Sequence, residues 1–307
     1  MAWIDKGLIF RVDRLEPWAF SHAYVPTTLL LRDRIRVYVA FWDQGHRGRL
    51  GYVDVSLSDP SVVMGYGQKP LVEDSVGGFD CDGVTPLSIV KNNSEVWLYY
   101  AGWKRDANPE IRYRIFVGLL IGDADGSRFE RFSDKPILGP RHDREYLRTG
   151  GFIMREHGKY RCWLATQKGI HHDHGKALPV YDLEYVASND GIVWPEDQLA
   201  IFRHQPGKVL GYGRCAIWRT LKGGYEGLFP VRGWDGRYLN MLYSQSPDGT
   251  KWSELTSDGK AFDHMMTIDG QSSVSFPSVV HLGEEIAMFY NGDDFGREGL
   301  RLAIWSD

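Results

Sequence analysis

Several signals are missing from this 307-residue chain, and each absence removes a class of protein. No run of about 18 apolar residues occurs, so no helical membrane span is expected. The opening Met1-Ala2-Trp3-Ile4-Asp5-Lys6 has no basic segment followed by an apolar core, and the expected location is therefore cytoplasmic, without a membrane partner. There is no Lys/Arg-rich run, and 36 Lys and Arg against 40 Asp and Glu leave a formal net charge of -4, which gives nucleic acid no basic footprint. No glycine-rich loop opens a helix, which removes P-loop and dinucleotide-binding readings and leaves no cofactor expected. Cysteine is scarce: Cys81, Cys162 and Cys215 lie in or beside apolar strands without metal-type spacing, and an odd count suits reduced thiols used in packing.

What is present is a repeated phrase in a chain that is 43% hydrophobic and so able to bury a core. In Phe79 to Trp103 acidic residues lead into a short apolar strand, a polar turn at Lys91 to Glu95, and the aromatic strand Val96-Trp97-Leu98-Tyr99-Tyr100-Ala101-Gly102-Trp103. The phrase recurs around Pro26, Gly151, Ala216 and Pro277, a period of roughly 60 to 65 residues. The first unit predicts strands at Ala23 to Leu31, Ile35 to Trp42, Gly48 to Val55 and Val62 to Leu71. The second has Val84 to Val90, Val96 to Trp103, Ile115 to Gly122 and Phe129 to Leu138, and the third Phe152 to Arg155, Tyr160 to Ala165, Tyr181 to Ser188 and Gln198 to His204. In the fourth they are Cys215 to Thr220, Tyr225 to Val231, Tyr238 to Gln245 and an edge near Trp252. The fifth holds only Val274 to His281, Ile286 to Asn291 and Leu300 to Trp305.

The shortage in the fifth unit has a natural remedy, since Leu8 to Val12 reads as a strand with no neighbour of its own. Radial arrays of four-stranded sheets close in this way, and the whole chain, 1–307, is expected to form one all-β, five-bladed β-propeller domain whose N-terminal strand completes the C-terminal blade. A second repeat agrees. Asp125-Gly126, Asp190-Gly191 and Asp248-Gly249 are each followed three residues after the glycine by Phe129, Trp194 or Trp252, which predicts the third-to-fourth-strand turn of blades two, three and four and assigns the motif to scaffolding.

These residues carry a resemblance. The Asp-bearing first strand, the aromatic second strand, the Ser-x-Asp-Gly-x-x-Trp turns and the closing Met288-Phe289-Tyr290-Asn291-Gly292 resemble the five-bladed propellers of glycoside hydrolase families 43, 32, 68 and 130, over essentially the whole chain. The chain is also similar to propeller proteins encoded among bacterial surface-polysaccharide genes. The resemblance implies three carboxylates from the first strands of blades one, two and three. Blade one, Ser21-His22-Ala23-Tyr24-Val25-Pro26, has none; blade two has Asp80 and Asp82; blade three has Arg148-Thr149-Gly150-Gly151, with its nearest acids upstream at Asp143 and Glu145. The family's triad is therefore incomplete, and the site is argued from its own residues.

In a propeller the residues just before the five anchor points converge at one mouth of the axial channel. That set is His22 and Tyr24, Asp80 and Asp82, Arg148 and Thr149, Tyr212 and Arg214, and Ser273 and Ser275. Asp80 or Asp82 suits general acid–base work, and His22 suits a partner acid or a sugar ligand. Arg148 and Arg214 suit a phosphate or carboxylate on the substrate. Trp42, Trp103 and Trp234 offer flat faces for a sugar ring, and Glu226 is a further acid candidate. The tract His171-His172-Asp173-His174 is expected in a long loop between Gln167 and Tyr181, and Asp293-Asp294 in a surface turn; neither is read as a metal site.

The expected activity is a glycosidase-like reaction on a small-molecule or oligosaccharide substrate in an axial pocket. Two alternatives stay open: a glycosyltransferase or phosphorylase acting on a phosphorylated or nucleotide-linked sugar, and a carbohydrate-binding propeller without catalysis.

Overall fold

A computed structural model describes residues 2–142, 145–262 and 273–306. After β1 (Ala2–Arg11), blade one is β2 (Ser21–Leu30), β3 (Arg34–Trp42), β4 (Gly48–Ser56) and β5 (Val63–Tyr66). Blade two is β6 (Gly83–Asn92), β7 (Glu95–Arg105), β8 (Tyr113–Gly122) and β9 (Phe129–Arg131). Blade three is β10 (Leu147–Glu156), β11 (Lys159–Asp173), β12 (Lys176–Ser188) and β13 (Leu199–Phe202). Blade four combines β14 (Val209–Tyr212), β15 (Ala216–Arg219), β16 (Tyr225–Gly233) and β17 (Tyr238–Ser246). Blade five is β18 (Ser275–Leu282), β19 (Glu285–Asn291) and β20 (Gly299–Ser306), and β1 pairs antiparallel along β20 from Ala2↔Ser306 to Arg11↔Gly299. The sheet order β1-β20-β19-β18 thus gives the fifth blade its fourth strand from the N-terminus, as the strand count predicts.

Blades pack face to face, so their second strands are covered on both sides. From Ile35 to Phe41 every residue of β3 is buried, which is why these strands read as continuous apolar and aromatic runs rather than as alternation. The Asp-Gly turns fasten each blade to the one before it. Tyr38 donates its hydroxyl to the Gly126 carbonyl at 2.7 Å, Tyr99 to Gly191 at 3.1 Å, and Trp163 Nε1 to Gly249 at 2.8 Å. The aromatics after the turns lie beside the same contacts, Phe129 edge-on to Tyr38 and Trp194 edge-on to Tyr99.

Three expectations are corrected. The outer strands of blades one and two are shorter than predicted, ending at Tyr66 and Arg131, because Gly67, Pro70 and Pro136 interrupt the ladder. No strand forms at Trp252; the edge of β17 is met by isolated bridges to Thr256 and Phe262 instead. The predicted loop from Gln167 to Tyr181 is a β-hairpin arm, β11 and β12 staying paired out to Asp173↔Lys176. Among the described residues no helix is long and apolar enough to cross a membrane.

Candidate functional site

The first strands begin at one end of the molecule, and their starts are irregular. Register shifts interrupt β2 on either side of Tyr24 and β18 between Ser275 and Ser278. His22, Val25, Phe276, Asp294 and Phe295 all adopt positive φ there, a concentration of strained non-glycine backbone of the kind found at functional sites. The strain delivers rings to the mouth. Tyr24 stands edge-on to Phe276 at 5.2 Å, Phe295 at 6.0 Å and Trp42 at 6.1 Å. Tyr238 meets Phe276 at 5.0 Å, and its hydroxyl lies 3.1 Å from that of Tyr181.

Arg232, at the end of β16, enters this group. Its Nε donates to the Gly236 carbonyl at 2.7 Å, and its guanidinium carbon lies 5.9 Å from the Tyr181 ring centre. Burial alone would lower its pKa, but the phenols of Tyr181, Tyr238 and Tyr24 outweigh that and raise it. Burial in turn pushes the Tyr24 and Tyr238 hydroxyls well above their usual range, so both phenols stay neutral beside the cation. Trp103 and Tyr113 form an edge-on pair at 5.4 Å on the blade-two side. Arg232, Tyr181 and Tyr238 were absent from the sequence-derived set because they lie on second and third strands, whose upper ends reach the mouth only after the blades assemble.

Asp80 and Asp82 occupy different environments. Asp80 is 4% exposed and accepts from Arg131 Nε at 2.8 Å and from the Tyr100 hydroxyl at 3.0 Å, so its carboxylate is held by the second and outer strands of its own blade. Asp82 keeps partial solvent contact; its Oδ2 accepts the Arg105 backbone N–H at 2.8 Å, and Arg105 Nη1 stands 3.7 Å from Oδ1. His22 is buried, stacked on Trp42 with ring centres 3.8 Å apart and bonded through Nδ1 to Ser21 Oγ at 2.8 Å. Burial lowers its pKa to about 4, which keeps the imidazole neutral.

The two arginines of the sequence-derived set share no partner. Arg148 donates to the Gly139 carbonyl at 3.2 Å and lies beside Glu145 and Glu184. Arg214 runs into the axis, where Nη1 donates to the Pro277 carbonyl and Nη2 to those of Pro26 and Phe276. Those carbonyls lie in the bulged segments of β18 and β2, so one arginine from blade four supplies donors that the irregular ladders lack. An anion clamp spanning Arg148 and Arg214 is therefore not built.

Of the remaining members, Thr149 and Ser275 are buried with hydroxyls that have no partner among the described residues, and Ser273 is half-buried. Tyr212 turns away from the axis to bond the Arg203 carbonyl and pack on Phe202 at 5.6 Å. Glu226 pairs with Lys260 and accepts from Trp218 Nε1 at 3.0 Å, at the opposite end of its blade. Asp143 lies outside the described residues.

Glu145, the upstream acid of blade three, is joined there by two further buried acids, Glu184 and Asp182. Glu145 is held by Arg141 at 2.7 Å, Glu184 by Lys168, and Asp182 by His204 at 2.7 Å. The histidine tract does not converge: His171 lies on Trp234 at 4.4 Å, and His172 bonds Glu110 on the other flank, so the arm walls the mouth between blades four and two. Among the described residues no group of three His, Cys, Asp or Glu is placed to hold a metal.

No family model matches the chain. It is 27% identical to Uncharacterized protein MT1551 of Mycobacterium tuberculosis over 308 residues, and 27% identical to Uncharacterized protein Rv1502 of the same species over 312 residues, in both cases covering 99% of each chain. Among solved structures, a glycoside hydrolase superposes with a TM-score of 0.73 at 14% identity, covering 99% of this chain and 91% of the other. A beta-1,2-mannobiose phosphorylase from Listeria innocua, solved with beta-1,2-mannobiose, gives 0.70 at 11% identity, with 100% and 97% covered. A GH130 protein described as targeting beta-1,2 mannosidic linkages in Candida mannan gives 0.67 at 14% identity, with 94% and 85% covered. The chain has the five-bladed propeller fold of these proteins.

Proposed function

We propose that the protein is a carbohydrate-active enzyme that works at the first-strand mouth and moves a glycosyl unit either from a phosphate-linked donor to an acceptor hydroxyl, releasing the phosphate group, or from a glycoside to inorganic phosphate, releasing the alcohol to which the unit was linked. The observation that carries this reading is the Arg232 cluster, a guanidinium among the phenols of Tyr24, Tyr181 and Tyr238. A guanidinium matches phosphate oxygens in pairs, and the aromatic wall suits a sugar face. Asp82 is the acid–base group in this scheme. Hydrolysis by two carboxylates requires an acid and a base roughly 5 to 9.5 Å apart, and Asp80 is committed to Arg131 and Tyr100. With a phosphate oxygen as nucleophile or leaving group, one carboxyl suffices.

The test is product analysis on beta-linked manno-oligosaccharides with and without inorganic phosphate, and on nucleotide-linked sugars with an acceptor. Phosphate-dependent release of a sugar phosphate, or transfer from the nucleotide, supports the reading. Arg232→Gln should weaken the phosphate-bearing substrate by about 10- to 100-fold while sparing neutral sugar binding, and Asp82→Asn should cut turnover by about 10² or more. Hydrolysis indifferent to phosphate returns the protein to the glycosidase reading, and sugar binding without turnover to the binding one.

A further inference from the structure

At the opposite face, where the first strands end, the axis widens into a cavity of about 590 Å³. Thr28, Ser88, Trp218, Ser278 and His281 line it, and the Arg214 side chain forms part of its inner wall. We propose that this cavity is a second axial site, separate from the first-strand mouth, that takes a small oxyanion of the phosphate class, free or as the phosphate group of a metabolite.

The argument begins with the charge of Arg214. The residue is 2% exposed, its three hydrogen bonds all go to backbone carbonyls, and no carboxylate pairs with it among the described residues. A buried cation without a counter-charge is costly, and carbonyl dipoles offset only part of that cost. Of the five N–H groups of a guanidinium, Nε–H has no partner among the described residues. Burial also lowers the Arg214 pKa, to about 10, in line with a charge that its surroundings under-compensate.

The rim carries the same sign. Lys91 and Arg155 line the cavity and are exposed, whereas the one carboxylate in the lining, Glu156, is already held by Arg161, Arg219 and the Tyr225 hydroxyl. An anion entering the cavity therefore meets two exposed cations at the rim, of which Lys91 also donates to the Leu30 carbonyl at 2.7 Å, and approaches the buried, carboxylate-free charge of Arg214 deeper in. Thr28 and Ser278, 2.9 Å apart through their hydroxyl oxygens, add groups that can rotate to donate.

The experiment is titration of the full-length protein with inorganic phosphate at constant ionic strength by calorimetry, together with a crystal grown in tungstate to locate the anion by its anomalous signal. The expected result is saturable binding, with density in the cavity beside Arg214. Lys91→Glu with Arg155→Glu changes only exposed side chains and should weaken this binding by about tenfold or more. Arg232→Gln removes any phosphate binding at the other mouth and should leave the tungstate density beside Arg214 and a remaining saturable phase in place, and in this way failure of the proposed reaction at that mouth is told apart from failure here. Arg214→Gln should abolish binding if the variant folds; the rim variant decides the matter if it does not. Phosphate bound only near Arg232, no saturable binding, or affinity indifferent to the rim reversal would overturn the proposal. Competition by a sugar phosphate at lower concentration than inorganic phosphate would identify the metabolite as the source, and equal competition the free ion.

Discussion

Arg131 Nε lies 2.8 Å from Asp80 Oδ2, and the hydroxyl of Tyr100 reaches the same oxygen at 3.0 Å. The pair joins the outer strand of blade two to the start of its first strand, and both partners are largely removed from water. Removing one member of a buried pair leaves the other charge uncompensated. Asp80→Asn should therefore lower stability by about 3 kcal/mol, read as a fall in the urea midpoint, with turnover per folded molecule kept. An unchanged midpoint with lost turnover would move Asp80 back into the chemistry.

Gly191 marks the blade-three Asp-Gly turn at φ +75, and a Cβ there would come within 2.6 Å of the Tyr99 hydroxyl and 2.7 Å of the Tyr160 ring. Gly191→Ala combines left-handed strain with a clash against the contact that fastens blade three to blade two. A loss of at least about 2 kcal/mol is expected, against under about 1 kcal/mol for Gly158→Ala, which has a similar φ and open space around it. Equal losses at the two sites would show that the inter-blade contact contributes nothing.

His22 supplies a pH dependence with a definite sign. Its pKa is about 4 when folded, against an ordinary 6.5, because burial disfavours the imidazolium. Asp294 beside it favours the charged form, and Arg297 and His46 oppose it, without reversing the effect of burial. The unfolded chain therefore takes up the proton first on acidification. The contribution is complete above about pH 6.5 and is lost as the pH falls toward 4, reaching up to about 3 kcal/mol. His22→Asn, which tolerates the positive φ, should flatten the stability profile in that window. A profile identical to the parent would show that other groups set the acid limb.

The fifth blade depends on β1. Besides the ladder to β20, Tyr290 donates its hydroxyl to Asp5 at 2.8 Å, and Trp3 Nε1 donates to the Lys260 carbonyl at 2.7 Å. Deleting residues 1–13 exposes the β20 edge and should replace one cooperative thermal transition by a broad one with aggregation. A truncated protein that melts as the parent does would refute this dependence.

The blade pattern, the Asp-Gly turns and the missing outer strand of the fifth blade were legible in the sequence. Each is carried by neighbours in the chain: an apolar and aromatic run, a two-residue turn, or a strand with no hairpin partner nearby. The arm from Gln167 to Tyr181 was not, because His171, His172 and His174 look like a polar loop until Trp234 and Glu110 are brought to its two flanks. The partners that define the candidate sites are farther apart still. Asp80 and Arg131 are separated by 51 positions, Tyr181 and Tyr238 by 57, and Arg214 and Pro26 by 188. The sequence alone determined that Tyr24, Asp80, Asp82, Arg148 and Arg214 lie near the starts of first strands. Whether a carboxylate is free or clamped, and whether an arginine faces an acid or a ring of carbonyls, was decided by packing one blade against the next, because burial and charge compensation depend on neighbours that only the assembled propeller supplies.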